Sequence, residues 1–235
     1  MEKGIYTALS GAIYKDTQME VIAQNLANVN TVGYKRDTVA FKDYLIPKDT
    51  VNSKPDEMVM TYISDLKTDF SSGNIIKTGN PLDVAIDGDG FIALEGKRYT
   101  RRGDFKKDSE GYLTSSDGTK VIGNRGPIYL PDGVVQINEK SDIYVNDLRI
   151  DSIKIIDFEN KEGLKKVGNS SFFADNDGTK SKALLKQGYI ETSNVDVVKE
   201  MVRMIVALRE FEAHQKAIQT FEAAVSKVNN EIGRL

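Results

Sequence analysis

A chain of 235 residues, 40% hydrophobic and 29% charged, is long enough for one large domain or two modest ones and can bury an ordinary apolar core. Its formal net charge of -3 gives no electrostatic reason to expect nucleic acid or an anionic membrane as partner, and no apolar run reaches the roughly eighteen residues of a membrane helix. With no cysteine in the chain, disulfides, thiolate metal sites and cysteine nucleophiles drop out together.

From about residue 3 to residue 29, apolar residues recur by threes and fours: Ile5, Leu9, Ala12, Met19, Ala23 and Leu26, with Asp16 the polar member of the row. That spacing predicts a helix presenting one narrow stripe to another helix. Asn28, Asn30 and Gly33 follow, residue types that tolerate the left-handed backbone needed to end a helix and turn the chain. Gly33 is expected to supply the positive φ. Residues 1–36 thus read as an N-terminal helix and turn. Residues 37–79 have little periodicity. They contain Pro47 and Pro55 and an apolar patch at 59–63, so they read as extended connecting arms with short strands.

The texture changes again over 80–188. Strand-like runs such as 91–94, 120–122, 134–137 and 150–158 are punctuated by Asp87-Gly88, Asp89-Gly90, Glu110-Gly111, Asp117-Gly118, Asp132-Gly133 and Asp177-Gly178. Acid-glycine pairs between β-rich runs are hairpin signals, which predicts a central all-β domain. In the last segment, 189–235, counting by sevens from Val197 gives Met204, Phe211, Ile218, Val225 and Ile232, all apolar. A second row begins with Met201 and Leu208 and continues into Gln215, Glu222 and Asn229. Ala207, Phe221, Ala224 and Val228 flank the first row. The seven-residue repeat predicts one long helix with an apolar face wider than a two-stranded zipper needs, and so more than one neighbour. In Ser193-Asn194-Val195-Asp196, a small hydrogen-bonding side chain is suited to capping the first free amides, and the acidic residue three places on, Asp196, suits the positive helix end. The expected fold class is α+β, with long N- and C-terminal helices forming a coiled-coil-like layer and an all-β domain between them.

Candidate chemistry is sparse. His214 is the one histidine and falls on the last helix, so it reads as a helix-surface or interface residue rather than a base or a ligand. Asp175-Asn176-Asp177-Gly178 opens like a calcium loop but lacks the closing glutamate, and reads as a turn. Gly88-Asp89-Gly90 lacks the third glycine and following helix of a phosphate cradle. Lys97-Arg98 and Arg101-Arg102 form a basic cluster beside Asp104 and Asp108, expected as a solvated strand face or a protein contact. No nucleophile, base and orienter set is available, so no catalytic, metal or cofactor site and no small-molecule substrate is expected.

Three motifs carry a resemblance. Gln24-Asn25-Leu26-Ala27-Asn28-Val29-Asn30-Thr31-Val32-Gly33-Tyr34-Lys35 is similar to the most characteristic segment of the flagellar rod–hook family, in particular rod proteins of the FlgF/FlgG type. Thr78-Gly79-Asn80-Pro81-Leu82-Asp83 with the run to Phe91, and Tyr99-Thr100-Arg101-Arg102-Gly103-Asp104-Phe105, resemble motifs of the same branch. Gly188-Tyr189-Ile190-Glu191-Thr192-Ser193-Asn194-Val195-Asp196 resembles the family's lead into its last helix. The resemblance runs nearly end to end. It implies a structural subunit, exported through the flagellar apparatus without signal cleavage and assembled into the periplasmic rod with copies of itself and other rod proteins. It also implies that the terminal helices pack together and against neighbours, through Ile5, Leu9, Ala12, Met19, Ala23 and Leu26 on one and Val197, Met201, Met204, Leu208, Phe211, Ile218 and Val225 on the other. The opening from Gly4 to Ala12 resembles FlgF, a proximal-rod component, more than FlgG. The competing class is a ligand-binding β domain on a helical stalk, which would require exposed aromatics among Tyr99, Phe105, Tyr112 and Tyr129.

Overall fold

The computed structural model describes residues 2–46 and 58–232, with side chains for 4–40, 66–227 and 230. Pro47 and Pro55, the side chains of the 59–63 patch, and those of Val228, Asn229 and Ile232 lie outside the described residues. The chain is α+β: a helix near each end and a β-rich region between. It divides into two compact units, neither continuous in sequence.

The first unit comprises residues 1–27, 37–69 and 196–235. It contains α1 (Glu2–Ala27), α2 (Val197–Ile232) and an antiparallel ribbon of β1 (Asp37–Ile46) and β2 (Met58–Thr68). The ribbon's register slips between Ala40 and Phe41, a bulge that increases its twist. At 36 residues α2 is about 54 Å long. A Cβ built at Gly4 would lie 2.9 Å from the Phe221 ring, and one at Gly11 would lie 2.6 Å from His214 Cε1. Lys15 pairs with Glu210. Each step up α1 is matched by an equal step down α2, so the two helices are antiparallel, and two glycines let the large side chains of α2 approach the α1 backbone. Glu200, Met204, Ala207, Phe211, His214, Ile218, Phe221 and Val225 form a shielded row on α2, a regular alternation of four and three with half-buried Ala217 beside it. Ala8, Ala12, Val21, Ile22 and Asn25 are the buried positions of α1.

The second unit comprises residues 28–36 and 70–195. A six-stranded antiparallel sheet runs in the order Lys165–Lys166, Ser171–Phe173, Arg98–Thr100, Phe91–Leu94, Ile155–Asp157 and Thr179–Lys180. Its central strand, Phe91–Leu94, is buried at every residue because both faces are covered. Ile92 and Leu94 point into a large aliphatic core with Val121, Ile128, Ile143 and Leu185, while Phe91 and Ala93 point into an aromatic core with Tyr99, Phe158 and Phe172. Both edge strands are short and carry lysine, which discourages further pairing. Asp142–Val145 and Leu148–Ser152 form a hairpin whose turn places Asn146 and Asp147 at φ 49° and 63°. This tight asparagine-aspartate turn has no glycine. By contrast, Gly88 and Gly90 do not close a hairpin. The strands they separate, Val84–Asp87 and Phe91–Leu94, belong to different sheets.

Candidate functional site: a buried ionic junction and two exposed helix faces

Two arrangements stand out, one in each unit. In the second unit, the carboxylate of Glu191, 1% exposed, is held by two cations. Lys35 Nζ donates to Glu191 Oε1 at 2.6 Å and Arg101 Nε donates to Oε2 at 2.9 Å. The Gly73 amide also donates to Oε1, at 2.8 Å. Lys35, 1% exposed, gives a further hydrogen bond to the Ser71 carbonyl. Arg101 gives two more through one terminal nitrogen, to the carbonyls of Gly88 and Gly90, both at 2.8 Å. Those glycines have φ of 119° and 137°, a conformation that turns their carbonyls onto the guanidinium and that a side chain would resist. A buried charge is tolerated only when paired and fully hydrogen-bonded, and this cluster meets that condition.

The turn after α1 belongs to the same junction. The Gly33 amide donates to the Glu191 carbonyl at 2.8 Å, and Gly33 has φ of 65°. A Cβ there would stand 2.5 Å from the Arg102 amide nitrogen. Asn28 and Asn30 tolerate the left-handed conformation but do not take it, leaving it to Gly33: Asn28 accepts from Thr31, through both its carbonyl and its side chain. On the other side, Asn194 Oδ1 accepts from the Arg36 amide at 2.8 Å, and its Nδ2 donates to Ser71. Lys166 Nζ lies 4.1 Å from the centroid of the Tyr34 ring and donates to the Lys35 carbonyl. The segments that lead out of α1 and into α2 are therefore tied to each other and to the β core within one unit.

In the first unit the helices expose what their mutual contact does not use. Met204, Phe211, Ile218 and Val225 are half-buried. Met201 (53% exposed) and Leu208 (46%) lie outside the contact, and Val197 is at its margin. Val198, Val202, Ile205 and Val206 are exposed as well. On α1, Ala12 is buried and Ile5, Met19 and Leu26 half-buried, whereas Leu9 and Ala23 are exposed, with Tyr6 and Ile13 beside Leu9. The residues of α1 that meet α2 are one position earlier: Gly4, Gly11 and Lys15. The apolar row of the sequence is thus rotated away from the internal contact, because close helix approach selects small residues while the larger apolar ones flank it. Near the far end of α1, a cavity of about 240 Å³ is lined by Gln18, Ile22, Thr38 and the Glu200–Arg203 ion pair, among others. Asn25 and Asp37 exchange hydrogen bonds at 2.8 and 2.9 Å next to it. The cap of α2 is Asp196 rather than Ser193, because the helix begins at Val197: Asp196 accepts from the Lys199 amide, which holds its carboxyl below the ordinary carboxylate range, while Ser193 Oγ accepts from the Val195 amide before the helix.

The remaining candidates sort out differently from their sequence reading. Arg101 is not on a solvated face but 4% exposed in the junction, and Arg102 is clasped by both oxygens of Asp104. Asp175 pairs with Lys165 on the surface. Of the four aromatics a ligand-binding face would need, Tyr99 and Phe105 are core, Tyr112 is half-buried and Tyr129 alone is exposed. Among the described residues no group of three metal-ligating side chains occurs, and no helix is long and apolar enough to cross a membrane.

Three family descriptions match along the chain. Residues 5–35 match a flagella basal body rod protein family, 85–147 the D1 domain of flagellar hook proteins FlgE/F/G, and 186–231 the C-terminal part of flagellar basal body rod FlgEFG proteins. The flagellar basal-body rod protein FlgG of Bacillus subtilis (strain 168) is 33% identical, covering 98% of this chain and 99% of its own. The chain belongs to the rod–hook family of FlgF/FlgG type. The flagellar basal-body rod protein FlgF of Mesorhizobium japonicum is 32% identical over 90% of each chain, and the flagellar hook-basal body complex protein FlhO of Bacillus subtilis is 30% identical over the whole of both. Each of the three matched segments supplies one charge of the junction: Lys35 from the first, Arg101 from the second and Glu191 from the third. All three residues stand inside sequence motifs, but the pattern gives no sign that they meet, and Arg101 reads there only as part of a basic cluster. Their separation, from 66 to 156 residues, hid the contact, and the invariable cost of burying charge was the one signal that could have raised it.

Proposed function

We propose that this chain is a structural rod subunit that assembles through its terminal helices, with copies of itself and other rod proteins, into a tubular shaft. The observation that carries this reading is the apolar surface left outside the helix pair: Tyr6, Leu9 and Ile13 on α1, and seven exposed aliphatic or methionine side chains between Val197 and Leu208 on α2. Apolar surface of that extent on one side of a helix favours burial against a neighbour. The interface then uses Leu9, Ala23, Val197, Met201 and Leu208 between subunits, while Met204, Phe211, Ile218 and Val225 close the pair within one. The proposed place is the proximal, FlgF-like rod, on the strength of the Gly4 to Ala12 opening. A distal, FlgG-like place is the second reading, favoured by FlgG relatives in Bacillus subtilis, Agrobacterium fabrum and Borreliella burgdorferi that align over 98% of this chain. Export without a cleaved signal completes the proposal.

Electron microscopy of intact rods with this subunit traced tests it. The expected result is α1 and α2 in the tube wall, at the base for the first reading and towards the hook for the second. Helices exposed on the rod's outer surface would overturn the assembly mode. Mass spectrometry of rod-bound chain should find the N-terminal segment intact, and a shortened N-terminus would exclude signal-free export.

A further inference from the structure

The β unit includes a segment that its apolar cores do not use. Among the described residues, the large aliphatic core is drawn from 82–185 and the aromatic core from 70–174. Residues 28–36, which lead from α1 to β1, supply a side chain to neither. Tyr34 is buried, but under the Lys166 ammonium. Polar contacts hold this segment on the unit. The Gly33 amide donates to the Glu191 carbonyl, and Lys35 Nζ to the Glu191 carboxylate and the Ser71 carbonyl. The Arg36 amide donates to Asn194 Oδ1, and Lys166 Nζ to the Lys35 carbonyl.

The two kinds of closure differ in what opening costs. Uncovering an apolar core returns hydrocarbon to water with no compensating gain. A lysine lifted out of a buried pair regains its hydration, which offsets much of the Coulomb energy lost. The partner left behind is not orphaned either. Glu191 and Arg101 both lie within 70–195, so their contact at 2.9 Å and the bond from the Gly73 amide at 2.8 Å survive when Lys35 leaves. One carboxylate then remains with one guanidinium, and Arg101 keeps its bonds to Gly88 and Gly90.

We propose that residues 28–36 form a strap that opens as one body, withdrawing Lys35 from Glu191 while both cores of the β unit stay closed. The opening is local and lies below global unfolding in free energy. Because the strap runs from the end of α1 to the start of β1, opening turns docked backbone into a free link between those two elements. Their tether to the β unit is thereby adjustable without loss of either core. The buried ionic pair is what makes the strap a latch: it closes fully or not at all, since a half-withdrawn ammonium has neither water nor its partners.

Native-state hydrogen exchange of the full chain, read amide by amide, tests this. The Gly33 and Arg36 amides, bonded to Glu191 and Asn194, should exchange together and faster than those of Val121 and Ile128, bonded to Leu113 and Val121 in the aliphatic core. Lys35→Glu sets a second carboxylate against Glu191. Exchange at Gly33 and Arg36 should then rise on the order of a hundredfold or more, with Val121 and Ile128 at parental rates. Asn194→Ala leaves every charge in place and removes the partner of the Arg36 amide, and should raise Gly33 exchange about fivefold, again with core rates unchanged. Parental exchange of Gly33 in both variants would show that these contacts do not hold the segment, and overturns the proposal. Equal acceleration of Gly33 and Val121, or loss of core protection in Lys35→Glu, would make 28–36 inseparable from the unit and overturn it too. So would Gly33 exchange no faster than that of Val121 in the parental chain.

Discussion

The two units of this chain satisfy their apolar and charged groups in opposite ways. In the β unit the central strand of the main sheet is covered on both faces, and the three buried charges of the junction find partners inside the unit. In the helical unit, α2 hides one row of side chains and leaves Val198, Met201, Val202, Ile205 and Leu208 at 46% exposure or more. The lesson is that stability and assembly are built into different parts. A unit whose interactions close internally resists perturbation from outside, whereas one with an uncovered apolar row gains its full burial energy only on association, at about 25 cal/mol per Å² covered.

The sharpest way to break this comparison is at the junction. Replacing Glu191→Gln keeps the shape but removes the charge that Lys35 and Arg101 share, and should destabilise the β unit by about 3–5 kcal/mol. Denaturant unfolding followed by hydrogen exchange at the Gly33 and Gly73 amides reads this, and an unchanged midpoint would show that the triad is not what closes the unit. Gly33→Val comes next, at about 3 kcal/mol, since a β-branched residue at positive φ is strained and its side chain meets the Arg102 backbone. Secreted chain should persist while the rod-bound fraction falls, and an equal rod-bound fraction would make Gly33 a spacer.

Phe211→Asp attacks the helical unit instead. A carboxylate in the half-buried seam against α1 costs about 2 kcal/mol there after allowing for its partial access to water, and should abolish rod incorporation while the β unit unfolds at the parental denaturant concentration. Normal motility would count against the seam. The smallest effect concerns the Asp196 cap. Because the Lys199 amide holds its folded-state carboxyl below the ordinary range, the cap's stabilisation is present above about pH 4 and is lost as pH falls through the depressed value. Amides of the first turn of α2 should exchange faster in acid than the same amides in Asp196→Asn, whose cap carries no titrating charge. Identical acid profiles would remove the cap from the account.

How much of this was legible beforehand differs by feature. Helix existence was, because threefold and fourfold spacing over some thirty residues has no other reading. The turn at Gly33 was also legible, as a backbone requirement that few residue types meet. Which side of α1 faces α2 was not: Ile5, Leu9 and Ala23 form the visible apolar row, yet the contact runs through Gly4, Gly11 and Lys15. A glycine carries no hydropathy signal, and a lysine carries the wrong one, until the partner that fills the space or the charge is in place.

By itself the sequence determined the two long helices, the β-rich middle and the rod–hook membership, all of which rest on local spacing or contiguous motifs. Only the tertiary structure decided that residues 28–36 fold with 70–195, that Lys35, Arg101 and Glu191 meet, and that Met201 and Leu208 stay outside the helix pair. The physical reason is common to these cases. Burial of a charge, or the choice between two apolar stripes, depends on which distant segment supplies the partner, and the chain's local pattern is the same for either outcome.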